Sequence, residues 1–205
     1  MCSRYRVKNN VAVIVQGKAV IFDYKARYNA APSQDLPAVF WNGTEVQGVQ
    51  MRWGWQPAWS KQLLINAQAE TVHEKPTYKN HLHQTCIIPA DGFYEWTPAK
   101  QPIMFTKLNE ETFCFAGLWQ EAEGQKRFIV LTTTPNETVK TVHNRMPFIV
   151  QPSQYELWLS GEFLTVLQAP DKQELKATPV QRELNNVRNE GAELIRPAPI
   201  QRDLI

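Results

Sequence analysis

The sequence predicts an α+β domain in which mainly antiparallel sheets curl into a partly closed barrel, with short helices at its periphery. Two observations predict it. Short runs rich in β-branched and aromatic residues recur through most of the chain, separated by turn-forming pairs. Helical patterning is short and scattered, and no βαβ alternation appears.

In chain order, the strand-like runs are Val11 to Val15, Ala19 to Phe22, Ala38 to Trp41, Val46 to Trp53, Thr85 to Ile88, Gly92 to Trp96, Ile103 to Lys107, Thr112 to Trp119 and Arg127 to Thr133. Asn42-Gly43 and Glu123-Gly124 fall between consecutive runs, where hairpin turns belong. Helical segments are expected after Glu70, around Glu137 to Val142, at Ser153 to Leu159 and at Asp171 to Leu175. The 14 prolines are spread along the chain and mark no single linker. We therefore expect one domain over residues 1–195 and a loose tail over 196–205.

A chain of 205 residues can bury a real core without disulfides or a metal. With 43% hydrophobic and 20% charged residues, the composition points to neither disorder nor a membrane fold. The longest apolar runs fall far short of the roughly 20 residues of a spanning helix, and no signal-peptide pattern opens the chain, so a cytoplasmic location is expected. Cys2, Cys86 and Cys114 are an odd number without CxxC spacing, which argues against a disulfide framework and a cysteine-rich zinc site. His81 and His83, with Cys86 or His73, make only a weak zinc pattern, and we expect neither metal nor cofactor. The net charge of +2 does not announce a nucleic-acid binder, so any such binding must use a local patch. Nothing in the sequence demands more than a monomer.

Three places carry chemistry. Removal of Met1 would give Cys2 a free α-amine beside its thiol. An α-amine with a pKa of about 7.7 to 8.0 is partly neutral at pH 7 and attacks aldehydes, and the thiol can then close a five-membered thiazolidine. In Asp91-Gly92-Phe93-Tyr94-Glu95-Trp96, period-two alternation places Phe93 and Glu95 on one face and Tyr94 and Trp96 on the other. A carboxylate buried there would have its pKa raised toward neutrality and could move protons; the alternative is an edge-strand glutamate facing water. In Thr141-Val142-His143-Asn144-Arg145-Met146-Pro147, the proline blocks helix continuation, leaving His143 and Arg145 on a loop suited to acid catalysis beside a phosphate.

Six segments in order resemble the SRAP family: Met1-Cys2-Ser3-Arg4, Arg27-Tyr28-Asn29-Ala30-Ala31-Pro32, Asn66-Ala67-Gln68-Ala69-Glu70-Thr71, Gly92-Phe93-Tyr94-Glu95-Trp96, His143-Asn144-Arg145-Met146-Pro147 and Asn186-Val187-Arg188-Asn189-Glu190-Gly191. The match runs to about Glu193. The resemblance implies an abasic-site sensor that crosslinks Cys2 to the ring-opened sugar in single-stranded DNA, also at single-strand/double-strand junctions. Asn66 would orient the Cys2 amine or the sugar, Glu95 would transfer protons, and His143 would assist ring opening and weak lyase chemistry. Removal of Met1 by autoproteolysis and reversal of the crosslink are implied as well. For DNA contact it points to Arg4, Asn29, Pro32, Trp59 and Arg145. Arginines neutralise phosphates, whereas Pro32 and Trp59 offer flat apolar surfaces to bases. Trp53 and Trp55 share a strand face and read as core; Trp59, beyond Pro57, reads as a loop residue.

Two departures stand out. Gln68 replaces an arginine expected near the DNA backbone, and Ser3 replaces a glycine beside the nucleophile. Two competing readings share parts of the pattern. An N-terminal-nucleophile amidohydrolase would use Cys2 but leave Glu95 and His143 unexplained, and a non-catalytic single-stranded DNA-binding module would keep the groove without the chemistry.

Overall fold

The computed structural model describes residues 2–167 and 174–199. Its strands are β1 (Tyr5–Val7), β2 (Ala12–Val15), β3 (Lys18–Ile21), β4 (Arg27–Ala30), β5 (Asp35–Trp41), β6 (Val46–Trp53), β7 (Asn66–Gln68), β8 (Thr85–Ala90), β9 (Gly92–Trp96), β10 (Pro102–Lys107), β11 (Phe113–Ala122), β12 (Gln125–Thr133), β13 (Met146–Pro147), β14 (Ile149–Val150) and β15 (Leu175–Pro179). The helices are short: α1 (Pro76–Lys79), α2 (Glu137–Lys140), α3 (Tyr155–Leu159) and α4 (Phe163–Leu167). No described helix is long and apolar enough to cross a membrane.

Local chemistry sets the long hairpins. Between β5 and β6, the Asn42 side-chain oxygen accepts from the amides of Thr44 and Glu45, each at 2.9 Å. Between β11 and β12, Glu123 and Gly124 both take positive φ, 54° and 73°, as a type I′ turn requires. That turn fixes the register Ala122 to Gln125, and the ladder continues to Gly117 opposite Val130.

A barrel closes from these ladders. The order β12-β6-β5-β8-β11 returns to β12 through the β11–β12 pairing, so five strands form a ring. All its pairings are antiparallel except β12–β6, and β7 adds to β12 in parallel outside the ring. Inside the wall, Gly117 leaves room that no other residue could: a Cβ there would lie 2.8 Å from the Ile129 carbonyl and 2.9 Å from the Cys86 sulfur. Against the barrel stands an antiparallel sheet of order β15-β10-β9-β1-β4.

The two layers share an aromatic core. Tyr5 and Phe93 from the five-stranded sheet outside the barrel pack on Phe115 of the barrel at 5.6 and 6.2 Å, and Tyr5 also meets Trp53 at 5.3 Å. On the reverse face of β9 and β10, Tyr94 and Met104 build a smaller core with Val180, Leu184 and Leu194. This two-sided burial is the alternation expected of Gly92 to Trp96, and it fixes Glu95 on the inner face with Phe93.

The helical expectations are met unevenly. Residues after Glu70 run through turns before α1, α2 lies within Glu137 to Val142, and Ser153 to Leu159 divides between a 3-10 turn and α3. Of the segment Asp171 to Leu175, residues 171–173 lie outside the described residues, and Leu175 opens β15 rather than ending a helix. Ladder bonds to β10, from Lys107–Leu175 to Ile103–Pro179, override the local helical pattern. In the tail, Ala198 donates to the Pro179 carbonyl and Pro197 bridges Val180, so its first residues are docked; residues 200–205 lie outside the described residues.

Candidate active site

Cys2 enters the site along an extension of β1. The register Tyr5 to Phe93 continues as the Tyr94 amide donates to the Arg4 carbonyl, which brings Ser3 level with Glu95. Ser3 keeps a negative φ, so serine meets no backbone strain where glycine was expected. Cys2 itself is fully buried. From the barrel side, β7 is held on β12 with Asn66 opposite Val130, and the Asn66 amide nitrogen donates to the Cys2 carbonyl at 2.8 Å. The Asn66 carbonyl oxygen is buried and has no partner among the described residues.

His143 arrives from a third direction. Asn136 caps α2 by accepting from the Val139 amide, and the His143 amide bonds back to the Val139 carbonyl before the chain straightens into β13, paired with β12. His143 Nδ1 lies 3.0 Å from the Arg145 amide nitrogen and 3.1 Å from the Arg145 carbonyl oxygen. An unprotonated Nδ1 accepts from that amide, and a protonated one donates to that carbonyl, so the same backbone supports either form of the ring. Nε2 then faces Glu95, 3.9 Å from Oε2.

Electrostatics leave this cluster close to neutral. Glu95 is 2% exposed, which settles against the edge-strand alternative, and burial pushes its pKa up to about 7. Burial also holds the Cys2 thiol far above its ordinary value, with the negative charge of Glu95 adding to the effect. The His143 pKa is lowered, again chiefly by burial. A neutral thiol, a carboxyl near its midpoint and a neutral imidazole make a site that can accept or release a proton at neutral pH.

The remaining residues expected at the site are differently placed. Arg4 bonds the Asn29 side-chain oxygen at 2.8 Å and the Leu184 carbonyl at 3.1 Å, with its guanidinium 5.9 Å from the Trp96 ring centre. Asn29 is fully buried, and its amide nitrogen donates to the carbonyls of Leu184, Asn186 and Asn189 at 3.0 to 3.2 Å. Two of the sequence segments thus lock together: Arg27 to Pro32 holds the turn of Asn186 to Gly191, and Glu190 also accepts from the Tyr28 amide. Pro32 is half-buried beside Ser33, while Trp59 is 70% exposed on the loop that leads from Trp55 to Asn66. Trp53 and Trp55 are core, as their shared face predicts.

Arg145 has a partner that sequence reasoning did not single out. Its Nη1 and Nη2 reach the two oxygens of Glu70 at 2.9 and 2.7 Å, and Nη2 also donates to the Thr132 carbonyl. Glu70 stood within Asn66 to Thr71, yet nothing local shows that its partner lies 75 residues on. His81 is engaged by Gln84 at 2.6 Å and by the Trp55 ring. Among the described residues no three His, Cys, Asp or Glu side chains gather as a metal site. All three cysteines are free and buried.

A profile of the SOS response associated peptidase (SRAP) family matches residues 1–187. The chain belongs to the SRAP family. Abasic site processing protein YoaM of Bacillus subtilis (strain 168) is 36% identical over 194 residues, covering 84% of this chain and 86% of that one. Abasic site processing protein YedK of Escherichia coli (strain K12) is 28% identical over 194 residues, covering 83% and 84%. The SRAP fold is shared with the crystal structure of a phage-related protein from Bordetella bronchiseptica, at a TM-score of 0.73 and 22% identity over 88% of this chain and 94% of that one.

Proposed function

We propose that this SRAP chain processes abasic sites in single-stranded DNA by covalent capture on Cys2. Met1 leaves first, by self-cleavage at this site or through methionine aminopeptidase. The freed α-amine adds to the C1′ aldehyde of the ring-opened sugar, and loss of one water gives an imine. Sγ then adds to C1′ while its proton passes to the nitrogen, closing a thiazolidine with no further atom gained or lost. Protonating the departing hydroxyl and deprotonating the thiol call for one group that works in both directions. Glu95, with a pKa near 7, suits that task and its reverse when the crosslink is undone.

The observation that carries this reading is the meeting of Cys2 with Asn66, Glu95 and His143, brought together by separate stretches of chain, with Cys2 and Glu95 buried and Asn66 and His143 half-buried beside them. Asn66 positions the Cys2 backbone, and its buried oxygen is available to accept from an α-amine. His143 assists opening of the sugar ring and supplies weak lyase activity at the 3′ phosphate. Arg4, Pro32, Trp59 and Arg145 contact the strand, including strands at duplex junctions. In this reading Asn29 acts from behind, holding Arg4 and the 184–189 turn.

The test mixes purified protein with a single-stranded oligonucleotide carrying one abasic site, followed by a denaturing gel and intact mass. A heat- and detergent-resistant adduct that maps to Cys2, lacks Met1 and disappears in Cys2→Ala is expected. An adduct that persists in Cys2→Ala, or none from wild-type protein lacking Met1 and given an intact aldehyde, defeats the proposal.

A further inference from the structure

The Arg145 guanidinium stands in the same loop as His143, joined to it through the Nδ1 contacts with the Arg145 backbone. A lesion reacting at Cys2 and His143 therefore brings its flanking phosphates toward Arg145. Yet the Nη1/Nη2 edge, the edge a phosphate would take, is already occupied by both oxygens of Glu70. The remaining contacts point inward: Nη2 reaches the Thr132 carbonyl, and Nε is buried with no partner among the described residues. The Arg145 side chain is 15% exposed and that of Glu70 is 42%, so the carboxylate lies over the cation on the solvent side.

Burial would raise the Glu70 pKa, but the hydrogen bonds and charge of Arg145 outweigh it and hold it below its ordinary value. Glu70 is thus ionised wherever DNA would bind. Thr133 Oγ1, 3.3 Å from the same carboxylate, adds to its placement. Gln68, exposed at the end of β7, contributes no charge to this corner. One anion and one cation leave the corner formally neutral, which makes it a weak attractor of phosphate as it stands.

We propose that Glu70 is an internal stand-in for a DNA phosphate on Arg145, so that strand binding exchanges the carboxylate for a phosphate. The proposal rests on the single-stranded DNA reading above and adds a device to it. The bidentate pair keeps Arg145 oriented and partly desolvated while the groove is empty, and it sets a threshold that an anion must exceed to enter. Glu70 is then a residue that tunes affinity through Arg145 and takes no part in the covalent step.

The experiment measures binding of a short unmodified oligothymidylate to the full chain across a salt series, for wild type, Glu70→Gln, Arg145→Ala and the double variant. Glutamine keeps the shape and removes the charge. The proposal expects Glu70→Gln to bind about three- to tenfold more tightly at low salt. It also expects the slope of log affinity against log salt to stay close to the wild-type value, because Arg145 meets the same phosphate in both proteins, and to flatten by about 0.7 in Arg145→Ala, the value for one phosphate fewer on a single strand. The gain should vanish when Arg145 is alanine; if Arg145→Ala does not fold, Arg145→Gln, which also lacks the charge, takes its place. Unchanged or weaker binding by Glu70→Gln, with wild type binding normally, overturns the proposal and leaves the DNA reading intact. Failure of wild type to bind at any salt removes that reading, and the stand-in role with it.

Discussion

His143 Nε2 stands 3.9 Å from Glu95 Oε2, beyond a strong hydrogen bond yet close enough for both groups to act on one small group between them. Burial moves the two pKa values in opposite directions, raising that of Glu95 to about 7 and lowering that of His143. Both changes favour the neutral form of each side chain, because charge is costly where water is excluded.

This arrangement predicts a pH-dependent stability specific to Glu95. Its folded pKa lies above the unfolded value near 4.5, so the folded state binds the proton more tightly. The resulting stabilisation is fully present below about pH 4.5 and is lost as pH rises through about 7, by roughly 3 kcal/mol at most. Glu95→Gln should abolish that loss. Urea unfolding at pH 5.5 and 8.5 checks it: wild type should lose stability relative to Glu95→Gln at the higher pH, with His143 common to both proteins. Parallel profiles for the two proteins would show that Glu95 titrates normally.

Much of the fold was legible because its strands obey local rules. Gly92 to Trp96 alternates between two cores, and Glu123-Gly124 supplies a turn that few other pairs allow. Strands β1, β4 and β7 were not expected from the pattern. They are three or four residues long, and their identity comes from partners such as Ala30 for Tyr5 and Val130 for Asn66. The barrel was expected as partly closed; that the ring closes fully depends on the parallel pairing of β12 with β6, which no turn encodes. At the site, residue types announced Cys2, Glu95 and His143, but not the partners of the polar groups. Asn29 was expected among the DNA contacts, and nothing local showed that its amide donates to the carbonyls of Leu184, Asn186 and Asn189. Glu70 looked like one letter of a motif until Arg145 reached it.

Asn29 should therefore act on stability before it acts on DNA. Asn29→Ala removes the donor shared by three carbonyls and an acceptor for Arg4 from a fully buried position; the Leu184 and Asn186 carbonyls keep Arg4 and the Asn189 amide as donors, while the Asn189 carbonyl loses its side-chain partner. A loss of about 2 to 4 kcal/mol is expected, read from the urea midpoint. Limited proteolysis should cut first between residues 184 and 191, the turn that Asn29 holds. A variant that keeps wild-type stability and loses only DNA affinity would return Asn29 to the contact surface.

Trp59 gives the opposite expectation. At 70% exposure its indole contributes little to the core, in contrast to the buried Trp53 and Trp55, so Trp59→Ala should move stability by no more than about 0.5 kcal/mol. If it stacks on a base beside the lesion, the same change should weaken single-stranded DNA binding by about 1 to 3 kcal/mol. Stacking neutralises no phosphate, so the salt slope should stay at the wild-type value while affinity falls across the whole series. Trp59→Phe should recover much of the loss, because a smaller ring still offers a face. Binding to a short oligothymidylate across salt separates the cases: parallel lines displaced from wild type support stacking, and superimposed lines exclude Trp59 from the strand path.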